Sequence, residues 1–366
     1  MLVDGNHTSI TLQLIACGRT GGASPAARSI RHPPSEDIMP KPAPCTLLQS
    51  ARHSLLALGL AAACGLAAAA TTPYSITKFE DPRGPGTGFL PTGINNSLAI
   101  TGTANFQRGF TLSGTSITVF DVPGAFNNQT FADDVNNAGA VVGAFRNVSG
   151  GHGFVLANGV FTTIDVPGAV NETSVTGIND AGQLVGQYRQ TGTTNYLGFV
   201  KSGNTFTLFD AAQVQPNTAA NGINNAGLVV GSVGGGGTTA RGFTFANGSF
   251  EFFDAPGATS TQAFGVNNLG QIVGTASTGA FVKDGASFTT LVLPAAWNAR
   301  SIFATDISDN GVVVGRFTDN STNLTYGFIA TPIAAVPEPS STALLLLGGV
   351  ALGLRHRARR ATARPA

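Results

Sequence analysis

The stretch from Gly177 to Gly186, G-I-N-D-A-G-Q-L-V-G, constrains this chain more than any other because it recurs. Close copies are centred on Asn95, Asn136, Asn224 and Asn267, with a worn sixth at Ser308; together with Asn179 the intervals are 41, 43, 45, 43 and 41 residues. A period in that range marks a repeat architecture, in which one unit cannot bury its apolar surface until a neighbour stacks on it. The 366 residues therefore read as one repeat array with addressing segments at its ends.

Each unit holds four short apolar runs with recurring punctuation. The first runs into G-I-N and ends at N-x-x-G, where Asn or Asp before Gly suits a turn of left-handed backbone. The second is V-V-G or L-V-G. The third opens on Gly-Phe, at Gly109, Gly153, Gly198, Gly242 and Gly327, with Ala280-Phe281 the deviant. Tight turns such as Asn158-Gly159, Asn247-Gly248 and Asp284-Gly285 then lead to a fourth run of the type F-T-L-F-D. Four antiparallel strands in about 43 residues is the size of one propeller blade.

The sixth unit stops after G-F-I-A-T at Thr331, short of a fourth strand, whereas Ile76 to Glu80 (I-T-K-F-E) precedes the first unit and copies Ile117 to Asp121. An N-terminal strand that completes the last unit would close a ring and remove its edges. The expected fold is all-β: a six-bladed β-propeller of four-stranded blades over residues 71–335, closed by the N-terminal strand, with an open β-solenoid as the alternative.

Composition agrees. Charged residues are only 11% and glycine numbers 48, as short strands and tight turns require. Ten basic residues between Lys78 and Arg316 face fifteen acidic ones between Glu80 and Asp319, so the repeat body is acidic and nucleic acid is not an expected partner. Cys17, Cys45 and Cys64 all precede the first repeat, which leaves the body without disulfide or thiol chemistry.

The ends read as addresses. From Met39, Lys41 and Arg52 form a positive region, Leu55 to Ala70 an apolar one, and the alanines a cleavage site at Ala70; residues 39–70 are the pattern of a secretory signal peptide. Residues 1–38 are read as an extension from an early start site, or a disordered arm. At the other end V-P-E-P-S-S-T, from Val336, precedes the apolar run Ala343 to Leu354 and the basic R-H-R-A-R-R. A dozen residues at about 1.5 Å each span roughly 18 Å, short of a hydrocarbon core of about 30 Å, so the run suits a transient membrane helix better than a permanent anchor. Its arginines would stay in the cytoplasm.

Motif, short helix and basic tail over residues 336–366 resemble the PEP-CTERM sorting signal of Gram-negative bacteria, with Val336, Pro337, Glu338 and Pro339 forming the motif. That resemblance implies an exosortase partner, cleavage near the motif, and delivery to the cell surface or exopolysaccharide matrix. A plain C-terminal anchor is the alternative. The repeat text, G-I-N-[DN]-x-G-x-[LIV]-V-G with a later G-F, is similar to the HAF-type extracellular repeats of bacterial secreted proteins.

On such a scaffold the variable loops are where a ligand would bind. The candidate ligand face comprises Arg146, His152, Arg189, Tyr196, Arg241, Trp297, Arg300 and Tyr326, whose guanidinium groups and rings suit sugars or anionic groups. A structural role is the preferred reading for Arg146 and Arg189, paired with Asp121, Asp165 or Asp210 at the ends of fourth strands. No catalytic residue, metal ligand or cofactor is assigned: His152 is the sole histidine of the body, and a lone histidine cannot supply a metal cluster. Paired carboxylates can hydrolyse glycosides. Of the acidic pairs Asp133-Asp134 and Asp306/Asp309, however, the first two are adjacent and are expected on opposite sides of a strand, and Asp309 is the sixth copy of the turn residue. The expected function is an exported, non-catalytic binding or structural component with extracellular polysaccharide as its partner class. The alternative is a secreted polysaccharide hydrolase or lyase.

Overall fold

The structure, a computed structural model, describes residues 74–79, 88–105, 107–211, 217–234 and 239–333, all within one compact unit. The extension 1–38, the signal segment 39–70 with Ala70, the sorting residues Val336, Pro337, Glu338 and Pro339, and the apolar run to Leu354 lie outside the described residues.

Strand β1 (Tyr74–Phe79) comes first. Repeat one gives β2 (Leu90–Ile94), β3 (Ile100–Ala104), β4 (Arg108–Ser113) and β5 (Ser116–Phe120). Repeat two gives β6 (Thr130–Val135), β7 (Val141–Asn147), β8 (Gly150–Ala157) and β9 (Val160–Ile164). Repeat three gives β10 (Ala169–Ile178), β11 (Leu184–Gln190), β12 (Tyr196–Ser202) and β13 (Thr205–Phe209). Repeat four gives β14 (Thr218–Ile223), β15 (Val229–Val233), β16 (Arg241–Ala246) and β17 (Ser249–Phe253). Repeat five gives β18 (Thr261–Val266), β19 (Ile272–Ala276), β20 (Gly279–Asp284) and β21 (Ser287–Thr290). Repeat six gives only β22 (Ala299–Ile307), β23 (Val313–Asp319) and β24 (Thr325–Pro332).

The result is an all-β, propeller-like arrangement, with short 3-10 turns at Phe126–Asn128 and Ala295–Trp297 as the helical pieces among the described residues. The missing fourth strand of repeat six is supplied by β1, which pairs antiparallel with β24 from Tyr74↔Pro332 to Phe79↔Gly327. Six separate sheets are not what forms. Four sheets of four strands stand free, and repeats two and three share one eight-stranded sheet. The cause is local: β10 is ten residues long, and its early residue Glu172 makes a parallel bridge to Gly151 of β8.

The repeat motif has a packing reason. In repeat three the Phe199 ring lies across Gly186 of L-V-G; a Cβ there would fall 1.9 Å from the Ser174 carbonyl oxygen and 2.8 Å from that ring. The equivalent rings Phe110, Phe154, Phe199, Phe243 and Phe328 are all fully buried. Burying such a side chain contributes about 1.5–3 kcal/mol each relative to leaving it exposed.

The N-x-x-G turns fasten repeat to repeat. Asn136 Oδ1 accepts the N–H groups of Ala138 and Ala140 at 3.1 and 3.0 Å, an Asx turn, while its Nδ2 donates to the Asn179 carbonyl at 3.1 Å. Asn95, Asn179, Asn224 and Asn267 reach their next neighbours in the same way. Ser308 has no amide to continue the series.

The following residue closes the circle. The N–H groups of Asn96, Asn137, Asp180, Asn225, Asn268 and Asp309 each donate to the side-chain oxygen of the next residue in that order, at 2.7–2.9 Å, and Asp309 returns to Asn96. An open solenoid would leave that last bond unmade.

Asn136→Ala strips an acceptor from two backbone donors and a donor from a buried carbonyl. A cost of about 2 kcal/mol or more is expected, read as a fall of roughly 4–8 °C in thermal midpoint. An unchanged midpoint would remove these turns from the stabilising contacts.

Candidate functional site

In every repeat the pairing of first and second strands is interrupted by a one-residue bulge, at Thr92, Asp133, Thr176, Asn221, Phe264 and Thr305. A bulge leaves one residue unpaired and re-aims its neighbours. Asp133 and Asp134 therefore sit in a bulge and not in a regular strand, and they line two different cavities. The alternation rule fails here because the bulge breaks the two-residue period.

The six bulge residues, one per repeat, line a cavity of about 210 Å3 together with Phe303 and Arg316. The next position is glycine in four repeats and aspartate in repeats two and six. Asp134 and Asp306 project into a second, smaller cavity of about 60 Å3, roofed by the turn residues. Crowding explains the glycines: a Cβ on Gly265 would lie 2.5 Å from Asp306 Oδ1.

Asp134 accepts from the N–H of Val135 at 2.7 Å and of Ile178 at 2.9 Å, and Asp306 accepts from the N–H of Ile94 at 2.8 Å. Each carboxyl thus ties its own repeat to the next. Burial pushes Asp134 up to about 6 against those hydrogen bonds. Burial, and then the Asp134 charge, pushes Asp306 well above the usual carboxylate range.

In the larger cavity burial, reinforced by Asp134 and opposed by Arg316, pushes Asp133 up to about 8. Arg316 enters from β23, where it pairs across from Phe303, and its guanidinium carbon stands 5.0 Å from that ring's centre. Among the described residues no hydrogen bond or ion pair reaches the guanidinium. Thr92, Thr176, Thr305 and Asn221 spend their donors on neighbouring repeats, bonding to the carbonyls of Ala132, Ala220, Pro91 and Ala263 at 2.8, 2.6, 3.2 and 2.7 Å. The donors left at this mouth are therefore Arg316, the second amide N–H of Asn221 and the protonated form of Asp133.

The residues singled out from the sequence are distributed over strand ends and fall into separate groups. Arg146 on β7 and Arg189 on β11 converge on Glu172, each 2.9 Å from its carboxylate, and burial and the neighbouring Glu172 push the Tyr196 hydroxyl of β12 up. The expected partners of the arginines, Asp121, Asp165 and Asp210, are replaced by Glu172, because β10 extends past the bridge to Gly151. Asp121 instead holds Arg108 at 2.5 Å, Asp254 holds Arg241 at 2.9 Å, and Asp165 holds His152 at 2.8 Å. Each of these pairs joins the residue before a Gly-Phe or Gly-Phe-like start to the end of the fourth strand.

Trp297 and Tyr326 both stack on Phe317, with ring centres 5.2 and 5.7 Å from it, and Lys78 Nζ caps Tyr326 at 3.3 Å. Arg300 bonds to Asn323. Most of the candidate face is thus engaged in packing the protein against itself. Arg316 and Phe303 were not singled out. The Arg316 signal was present in the repeat alignment: the residue after the glycine of the second run is Thr103, Ala144, Gln187, Ser232 and Thr275 in five units and Arg316 in the sixth.

A family model described as the PEP-CTERM protein-sorting motif matches residues 335–360, which include Pro337, Glu338 and Pro339. The motif implies an exported protein sorted by an exosortase to the cell surface. The search of curated proteins finds no match. Among solved structures, the chain is similar to an Aleuria aurantia lectin mutant in complex with Fucalpha1-6GlcNAc. The TM-score is 0.39 at 13% identity, over 69% of this chain and 99% of the lectin. It is also similar to Trypanosoma rangeli sialidase in complex with 2,3-difluorosialic acid, at TM-score 0.39 and 10% identity, over 77% of this chain and 59% of the sialidase's length. Among the described residues no three His, Cys, Asp or Glu side chains gather as metal ligands, and no helix is long and apolar enough to cross a membrane.

The raised carboxyls set a pH dependence. The folded protein keeps protons on Asp133 and Asp134 that the unfolded chain releases near 3.8, so stability falls as pH rises from there through about 6 and about 8. Asp180 and Asp309, held low by side-chain and backbone hydrogen bonds despite their burial, act oppositely and only at lower pH. Denaturant titrations of Asp133→Asn are expected to flatten the slope between neutrality and pH 8 by up to one proton, about 1.4 kcal/mol per pH unit. A slope identical to the parent's would contradict the assignment.

Proposed function

We propose that the chain is an exported protein of a Gram-negative bacterium whose repeat body is a six-bladed β-propeller. In this reading it acts at the cell surface or in the exopolysaccharide matrix as a non-catalytic binding or structural component. The sorting motif at residues 335–360 carries the reading. Counting six blades is supported by the single parallel bridge between Glu172 and Gly151, which joins two otherwise ordinary four-stranded meanders. The similarity of G-I-N-[DN]-x-G-x-[LIV]-V-G to HAF-type repeats fits an extracellular setting.

A secreted polysaccharide hydrolase or lyase is the second reading, favoured by the paired carboxyls Asp134 and Asp306. Their cavity of about 60 Å3 argues against it. A ligand pocket has roughly 300–1,000 Å3, so the space over the pair is small for a sugar ring.

Intact mass and fractionation in the native host test the proposal. Expected are loss of residues up to about Ala70 and exosortase-dependent loss of the tail beyond Pro339. An uncut tail retained in the inner membrane would overturn the sorting. Purified protein is expected to leave polysaccharide chain length unchanged; shortening abolished by Asp134→Asn would instead establish the hydrolase or lyase.

A further inference from the structure

We infer that the cavity around Arg316 is a binding site for a carboxylate borne on a body no larger than one sugar ring. The inference rests on the reading of the ring as a binding module and names what that module takes. Three observations carry it. The cavity lies on the ring axis, with one wall residue from each repeat: Thr92, Asp133, Thr176, Asn221, Phe264 and Thr305. A rigid circle of strands fixes its shape, and pre-formed concavity of that kind is where small ligands bind.

The second observation is the guanidinium itself. Arg316 is half-buried and rests against Phe303, yet no described side chain hydrogen-bonds to it. Every other arginine of the strands has a carboxylate or amide partner: Arg108 with Asp121, Arg146 and Arg189 with Glu172, Arg241 with Asp254, and Arg300 with Asn323. A planar fork left open in a concave site matches the two oxygens of a carboxylate.

The third is the chemistry of the surrounding wall. Asp133, pushed up to about 8 by burial against the opposing Arg316 charge, offers an O–H donor in its neutral form. The threonines and Asn221 are committed to the blade contacts, so they hold the wall rigid. Phe264 and Phe303, with ring centres 6.5 Å apart, supply apolar faces for the carbon skeleton of the ligand. A volume of about 210 Å3 is below the roughly 300–1,000 Å3 of drug-sized pockets. The site therefore takes one small acid, or a single acidic residue at the end of a longer chain.

Two sources share this chemistry: a free organic acid and a terminal uronic acid of an acidic polysaccharide. Calorimetric titration of the full chain near pH 7 with glucuronate, glucose, acetate, sulfate and galacturonan oligomers separates them. Glucuronate is expected to bind at least roughly tenfold more tightly than glucose, and Arg316→Gln to remove that difference without lowering the thermal midpoint. Arg316→Lys keeps charge and stem but loses the planar fork; it is expected to weaken glucuronate several-fold and serves if the glutamine variant fails to fold. Tighter binding of oligomers than of glucuronate identifies the polymer end, and equal binding of acetate and glucuronate identifies a free acid.

Sulfate binding as tightly as glucuronate would overturn the carboxylate assignment in favour of any anion. Glucuronate binding unchanged in Arg316→Gln would overturn the site. Neutral sugar binding that survives Arg316→Gln would overturn the inference while leaving the binding module intact. Absence of binding by every probe would reject both.

Discussion

Six backbone N–H groups, each donated to a side-chain oxygen of the next repeat, form a circle with no free end. A bond of this kind has a modest net value, about 1 kcal/mol, but its arrangement matters more than its strength. The turn of every repeat is held in register by the next one, and the sixth is held by the first. With β1 zipped onto β24, the array has two independent closures, one at the axis and one at the rim. An edge strand that would otherwise be open for pairing with other chains is thereby covered.

Closure also determines the electrostatics of the axis. Strands brought together around a narrow centre leave room for side chains only where neighbours give them up, and glycine stands in four of the six positions beside Asp134 and Asp306. The two aspartates fill the remaining space and tie repeat two to three and six to one through backbone N–H groups. Carboxyls placed so deep favour their neutral form. The axis is thus a set of polar staples that cost desolvation and return inter-repeat order. At the other mouth the same crowding relaxes, and one arginine is left with its fork unfilled.

The rim behaves differently. There the charged residues find each other across a blade, as Arg108 with Asp121 and Arg241 with Asp254, or across the joint between repeats two and three at Glu172. These pairs are substantially exposed, so they add little stability. What they do is settle the geometry of strand ends, and in doing so they use up side chains that a sequence reading takes as free for ligands.

The repeat, its strands, the tight turns and the circular permutation are legible in the amino-acid order alone. Those are local or pairwise matters: Asn-Gly turns, the Gly-Phe start of the third strand and the copy of I-T-V-F-D at Ile76 can all be read along the chain. Residues 335–360 likewise carry their address as linear text. Only the tertiary structure decided which charged groups are spent and which are free. The bulge at Asp133 overrides alternation, Glu172 reaches both Arg146 and Arg189, and Trp297 buries its face on Phe317. Arg316 was one basic residue among ten in the body until the ring placed it beside Phe303 and Asp133 with no hydrogen bond to its guanidinium among the described residues. The reason is physical: turn and strand preferences act over a few residues, whereas the pairing of a side chain depends on what the closed ring brings from far along the chain, as with Arg146–Glu172 (26 residues) and Asp306–Ile94 (212 residues).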